Sequence, residues 1–248
     1  MSEPILWQYN FSNFNEKARW ALDFKSVAHV RRSLLPGLPR AMAFSLRGTL
    51  PVLDIDGERI ADSSAIIAAL ERRFPQPTLY PADPVERAAA LEWEDFFDEH
   101  AGHEMRRAGF AEWLEDPGFV SALLSTGRGG ATRAALRVAL PGAMLYARRR
   151  YRIFPSDVKQ ALADLATALD RIAAERAPSG YLVGEAFSVA DLSAAALLFP
   201  LAWPAELQYE YPRPPHWRAL QPLTEHPAVE WIRDMYRRHR GARAEVRS

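Results

Sequence analysis

The chain has 248 residues, no cysteine, and 31 basic against 31 acidic side chains, so its formal net charge is zero. That length can bury a substantial core, as one large domain or two smaller ones. The absence of cysteine excludes disulfide frameworks, thiolate metal sites and a cysteine nucleophile, and a zero net charge supplies no whole-molecule field for nucleic acid or an anionic membrane.

From the N-terminus, Met-Ser-Glu-Pro shows no basic-then-apolar leader pattern. Ile5 to Tyr9 reads as a first strand, and Asn15 to Lys25 as a helix with Ala18, Ala21, Leu22 and Lys25 on one face and Lys17 and Arg19 off it. His29 to Leu34 reads as a second strand, and Pro36 to Arg47 is rich in turn signals. Then comes the stretch GTLPVLDIDGERIADSSAIIAALERRF, residues 48–74. Pro51 to Ile55 and Glu58 to Ala61 flank Asp56-Gly57, a strong hairpin signal. Ile66, Ile67, Leu70 and Phe74 stripe the helix that follows.

Four prolines between Pro75 and Pro84 forbid a continuing helix and favour an extended connection. Short strands and helices alternate before it, and helical patterns dominate after it. The expected architecture is therefore α+β: an N-terminal α/β domain over residues 1–80, then an all-α domain over 85–248. Val85 to Arg107 and Asp157 to Glu175 read as long amphipathic helices, with an irregular stretch over 117–156 between them. Ser188 to Phe199 is apolar nearly all round and should lie in the core, and Ser188-Val189-Ala190-Asp191 has the form of a capping box. The apolar run from Val189 to Ala205 is broken by Asp191, Pro200 and Pro204, so no membrane span is expected. A final helix is expected over 227–238. The basic groups Arg148 to Arg150 and Arg237 to Arg247 read as solvated helix faces or a frayed end.

A β-α-β-α-β-β-α order, with a strand opening Leu-Pro-Val-Leu and a helix opening at Asp-Ser, resembles the thioredoxin-like domain of the cytosolic glutathione S-transferases. Lys17-Ala-Arg19 followed by Ala21-Leu22, Gly184 ahead of Ser188-Val-Ala-Asp191, and His226-Pro227 before a helix with Trp231 and Arg233 are similar to family motifs too. The resemblance is weakest over 110–156 and 204–222. It implies that Pro51 is cis and that the Leu50 backbone pairs with the cysteinyl part of glutathione. It also implies that Ser63 and its backbone, at a helix N-terminus, hold the γ-glutamyl carboxylate, and that Asp62 faces the ammonium group. The residues alone allow a plainer reading, a strand-opening proline and an N-cap.

A thiol such as glutathione's has a pKa of roughly 8.5, and lowering it by about two units takes about 2.7 kcal/mol. A hydroxyl aimed at the sulfur supplies that kind of stabilisation. Ser12 lies seven residues before Arg19, the spacing of the serine-type classes and nearest to the zeta- and theta-like ones of bacteria. Tyr9, at the end of the first strand, is the alternative, and Asn13 or Asn15 are further donors. The loop departs from the family by carrying Asn13-Phe14-Asn15 after the serine, and Thr49 stands where a lysine or glutamine is common; Arg40 and Arg47 are the remaining choices for the glycyl carboxylate. Without cysteine, mixed-disulfide chemistry with glutathione is excluded.

Other signals carry less. His100 and His103 lack the spacing of a zinc-protease motif, Gly127 to Gly130 lacks that of a phosphate loop, and no Gly-x-Ser-x-Gly elbow occurs. Trp203, Tyr209, Tyr211 and Trp217 either wall an apolar pocket or pack a proline-rich loop. The expectation is a cytoplasmic, homodimeric transferase of the detoxification type. It uses glutathione as co-substrate and no metal, and takes an apolar electrophile between Ser12 and residues 96–113. It has no nucleic-acid or membrane partner. Glutathione-dependent isomerisation or peroxide reduction is equally open to it. The alternatives are a non-catalytic glutathione- or hydrophobe-binding protein on the same fold, or an interaction module that binds no glutathione.

Overall fold

Strand β1 (Ile5–Gln8) alternates half-buried and buried side chains and is paired on both sides. It runs parallel to β2 (Val30–Ser33) and antiparallel to β3 (Val52–Ile55), which pairs antiparallel with β4 (Glu58–Ala61). The computed structural model describes residues 3–35, 49–126, 128–212 and 218–246. The sheet is mixed, in the order β2-β1-β3-β4. Asp56 and Gly57 join β3 to β4 with φ of 50° and 80°, the double left-handed geometry of a tight hairpin. Pro36 to Arg47, with Arg40 and Arg47, lies outside the described residues.

Helix α1 (Asn13–Phe24) starts two residues before the apolar stripe predicts, because Ser12 is the extended N-cap (φ −82°, ψ 133°) and its C=O already accepts from Glu16 N at 2.9 Å. The expected polar face is also corrected. Lys17 and Arg19 are as buried as Ala18 and Leu22, since each has carboxylate partners inside the protein. Helix α2 (Ser63–Arg73) follows β4.

The helical half begins with α3 (Pro84–Phe96), N-capped by Asp83. Where one helix over 85–107 is expected, a π-helical turn over Phe97–Ala101 separates α3 from α4 (Gly102–Trp113). The turn keeps Phe97, Ala101, Met105 and Ala108 buried. The stretch expected to be irregular holds two helices, α5 (Pro117–Leu124) and α6 (Gly130–Arg150). Helix α6 leaves no apolar stripe to read because Leu140 is its one buried residue among those described. Then come α7 (Pro155–Glu175), α8 (Val189–Ala202), the short α9 (Gln221–Thr224) and α10 (Pro227–His239).

Helix α8 is buried along its whole length and is the centre of the core, packed by α1, α3 and α10. Its capping box is formed: Asp191 accepts from Ser188 N (2.9 Å) and from Leu182 N (2.8 Å). Beyond α10 the basic tail is not simply solvated. Arg240 is buried, donating to Glu16 Oε1 (2.7 Å) and Asp23 Oδ2 (2.9 Å). Ala244 N donates to Asp23 Oδ1 (2.8 Å), and Val246 N to His29 O (2.9 Å), so the tail lies alongside the start of β2. Among the described residues no helix is long and apolar enough to cross a membrane.

Candidate active site

Three chain segments meet beside the N-termini of α1 and α2. They are the β1–α1 loop, the Leu50–Pro51 turn and the β4–α2 junction, and polar contacts join them in series. Asn15, fully buried, accepts from Tyr9 N (3.2 Å) and donates from Nδ2 to Leu50 O (3.2 Å). Pro51 O accepts from Asp62 N (3.3 Å). The Leu50–Pro51 peptide bond is cis. Because Asn15 takes the Leu50 carbonyl, the Leu50 N–H is the turn's remaining donor, unbonded among the described residues.

At the start of α2, Asp62 holds φ +86°, a conformation that favours glycine, and its Oδ1 accepts from Ser64 N (2.9 Å) and Ala65 N (3.3 Å). It is thus the helix cap. Buried Ser63 follows at the first helical position, with its N–H outside this cap. Beneath it, Lys17 Nζ donates to Ser64 Oγ (2.7 Å) and Asp98 Oδ2 (2.6 Å) and pairs with Glu94 (2.9 Å), while Ser64 Oγ also donates to Asp98. Burial opposes the Lys17 charge, but Glu94 and Asp98 outweigh it and raise its pKa. This cluster ties the first turn of α2 to α1 and to the π-helical turn. No sequence motif marks it, since its partners lie 47 and 81 residues away.

Ser12 is half-buried at the mouth of α1, and its hydroxyl makes no capping bond. It sits where the free N–H groups and dipole of the helix favour a negative charge. Tyr9 is stacked on Phe11 (5.9 Å, 15°), and burial, with Tyr151 and Tyr146 nearby, pushes its pKa up to about 12. Asn13 faces inward: its Nδ2 donates to Gly102 O (3.1 Å) and Leu197 O (3.0 Å), engaging both amide protons. It thereby pins α1 to α4 and α8. A Cβ on Gly102 would meet Phe14 Cζ at 2.8 Å, Phe97 O at 3.1 Å and Leu197 Cδ1 at 3.2 Å, so a larger residue here would force the Phe14 ring to shift.

The aromatic side of the site spans both halves. Phe11 meets Trp113 edge-on at 6.5 Å, and Phe110 meets Trp113 at 5.4 Å and Tyr151 at 5.1 Å. Trp113, Phe119, Val120, Leu123 and Leu140 form a small second core beneath them. Tyr209 and Tyr211 serve the loop more than a pocket: Gln8 Nε2 donates to Tyr209 Oη at 2.6 Å, and Tyr211 Oη donates to Asn10 O. Trp217 lies outside the described residues.

A thioredoxin-like sheet, a cis-proline turn facing a helix N-terminus, and an all-α half built on one buried helix define a class of protein. Residues 6–78 match the glutathione S-transferase N-terminal domain and residues 131–235 the C-terminal domain, and the chain belongs to the glutathione S-transferase family. A probable glutathione S-transferase from Solanum tuberosum is 28% identical over 102 residues, 40% of this chain and 47% of the relative. A probable maleylacetoacetate isomerase 1 from Drosophila melanogaster is 37% identical over 99 residues, 37% of this chain and 40% of the relative. In both, the match spans less than half of the relative's length. Among solved structures, a glutathione S-transferase from Methylobacillus flagellatus KT with glutathione bound shares the fold at TM-score 0.63 and 20% identity, covering 96% of each chain.

Proposed function

We propose that the protein binds glutathione along the Leu50–Pro51 turn and the start of α2, and that Ser12 stabilises its thiolate for attack on an electrophile. One observation carries the reading: Asn15 and Pro51 O link the Ser12 loop, the Leu50–Pro51 turn and the Ser63 end of α2 into one unit. In this reading the Leu50 N–H pairs with the cysteinyl carbonyl, Ser63 takes the γ-glutamyl carboxylate, and the free Oδ2 of Asp62 faces the ammonium group. Asn13 and Asn15 act as positioning residues. Residues 1–80 form the glutathione domain and 85–248 the helical domain of a cytoplasmic homodimer. The thiol proton leaves to solvent as the thiolate forms, and the sulfur then adds to or substitutes on the electrophile. Reversible addition would equally serve an isomerisation, in keeping with the name of the Drosophila relative.

The test is a glutathione titration with the ultraviolet absorbance of the bound thiolate followed against pH. Ionisation well below the free pKa of roughly 8.5 supports the reading. Binding without a shift leaves a carrier, and no binding removes the proposal.

A further inference from the structure

On the helical side of this site stands a cation without an acid. Of the two arginines on α4, Arg107 pairs with Glu104 and donates to Tyr151 O (3.2 Å). Among the described residues Arg106 pairs with no carboxylate. There its one hydrogen bond runs to His103 Nδ1 (3.1 Å), and its Nε is buried with no acceptor. Arg106 is half-buried, and a guanidinium partly withdrawn from water is costly unless an anion completes it. Burial lowers its pKa, and Arg150 and Arg107 push the same way, outweighing Tyr151 and Glu104, and Glu104 is itself paired with Arg107.

The surroundings also limit what that anion belongs to. The Arg106 guanidinium lies over the rings of Phe14 (5.9 Å) and Tyr151 (4.8 Å). Phe14 is two residues from Ser12, and Tyr151 is near enough to the Tyr9 hydroxyl to act on it electrostatically. The cation is therefore set in an aromatic wall beside the proposed sulfur position. One planar guanidinium fork matches one planar carboxylate, and the flanking rings match a flat apolar body.

We infer that Arg106 is a specificity-determining residue that anchors the carboxylate of an aromatic or conjugated electrophile. This adds a carboxylate to the apolar electrophile expected from the sequence, and it rests on the transferase reading above. The probe pair is 4-chloro-3,5-dinitrobenzoate and its methyl ester. With either, the thiolate sulfur bonds to the ring carbon bearing chlorine, the carbon–chlorine bond breaks, and chloride leaves with the electron pair.

Equilibrium affinity for the acid and the ester is measured by calorimetry on protein saturated with S-methylglutathione, and turnover is followed with glutathione. Wild type, Arg106→Met and Arg106→Lys are compared, with far-ultraviolet circular dichroism checking the fold. The expected result is a preference for the acid that collapses about 10- to 100-fold in Arg106→Met and is partly restored in Arg106→Lys. The same affinity pattern without turnover would sink the transferase reading and leave the anchor standing. An acid preference unchanged by Arg106→Met overturns the anchor, as does a substitution that instead weakens glutathione itself. If the Met variant does not fold, the Lys variant decides: acid and ester weakened alike mean a structural residue.

Discussion

Ser12→Ala removes a hydroxyl that holds nothing else in place. Loss of an N-cap side chain ordinarily costs about 1 kcal/mol, but Ser12 makes no capping bond, so the folded state has little to lose, under about 0.5 kcal/mol. Its loss should fall on bound glutathione instead. A hydrogen bond to a charged acceptor is worth about 1.5–3 kcal/mol, or roughly one to two pKa units of the thiol. If the wild-type thiol ionises near pH 6.5, about half is thiolate there, against about 1% in a variant returned to 8.5. The expected kcat/KM loss is therefore up to about 50-fold at pH 6.5 and nearly nothing above pH 9. The assay is the thiolate absorbance titration run beside a pH profile of conjugation, with thermal melting as control. A loss of equal size at every pH would refute the reasoning, because it would mean that Ser12 acts on something other than ionisation. A melting temperature that falls with the activity would refute it too.

Three further outcomes are expected. Asn13→Ala strips donors from the buried carbonyls of Gly102 and Leu197, and should cost about 2–4 kcal/mol, seen as a melting temperature lower by several degrees. Arg240→Met leaves Glu16 and Asp23 short of a buried cation and should cost about 3 kcal/mol by urea unfolding, whereas Arg237→Met on the solvated face should change little. His29 is neutral in the fold: burial chiefly brings its pKa down to about 4, Arg31 and Arg240 push the same way, and the Nδ1 bond to Val27 O only partly opposes them, while Nε2 accepts from Arg31 Nε. The unfolded state then binds the proton first, so the stability it contributes is whole above about pH 6.5 and is lost as pH falls toward 4, about 3 kcal/mol in all. Asp191, pushed up to about 6 by burial, works in the opposite sense over an overlapping range. The measurement is therefore the difference in acid unfolding between wild type and His29→Gln, in which the Asp191 contribution cancels; parallel curves would discard the His29 account.

Local chemistry made much of the scaffold readable. Asp56-Gly57 forms its hairpin turn, Ser188 and Asp191 cap the central helix, and the Leu50–Pro51 bond is cis as the family resemblance implies. Each of these is settled by residues a few positions apart. Much of what sequence reading missed depends on distant partners. Lys17 and Arg240 are charges that look solvated until their buried carboxylates arrive from other elements, and Arg19, paired with Glu16 on its own helix, is buried by what packs over it. Helix α6 has no buried face to leave a period, and the π-helical turn changes the register without leaving a break in composition. In the site, Ser12 and Ser63 were legible as residue types at helix mouths. The inward turn of Asn13 and the bare cation at Arg106 were not, since both follow from what α4 presents to α1.

The buried pairing of Arg240 with Glu16 also bears on the order of events during synthesis. The two residues are 224 positions apart, and at about 5–20 residues per second the ribosome needs roughly 10–45 s to deliver the second after the first. Until then Glu16 and Asp23 lack one of their cations, and the segment that will flank the start of β2 does not yet exist. The first half of the chain therefore cannot settle fully as it emerges. Its final closure waits until α10 and the residues just after it have been made.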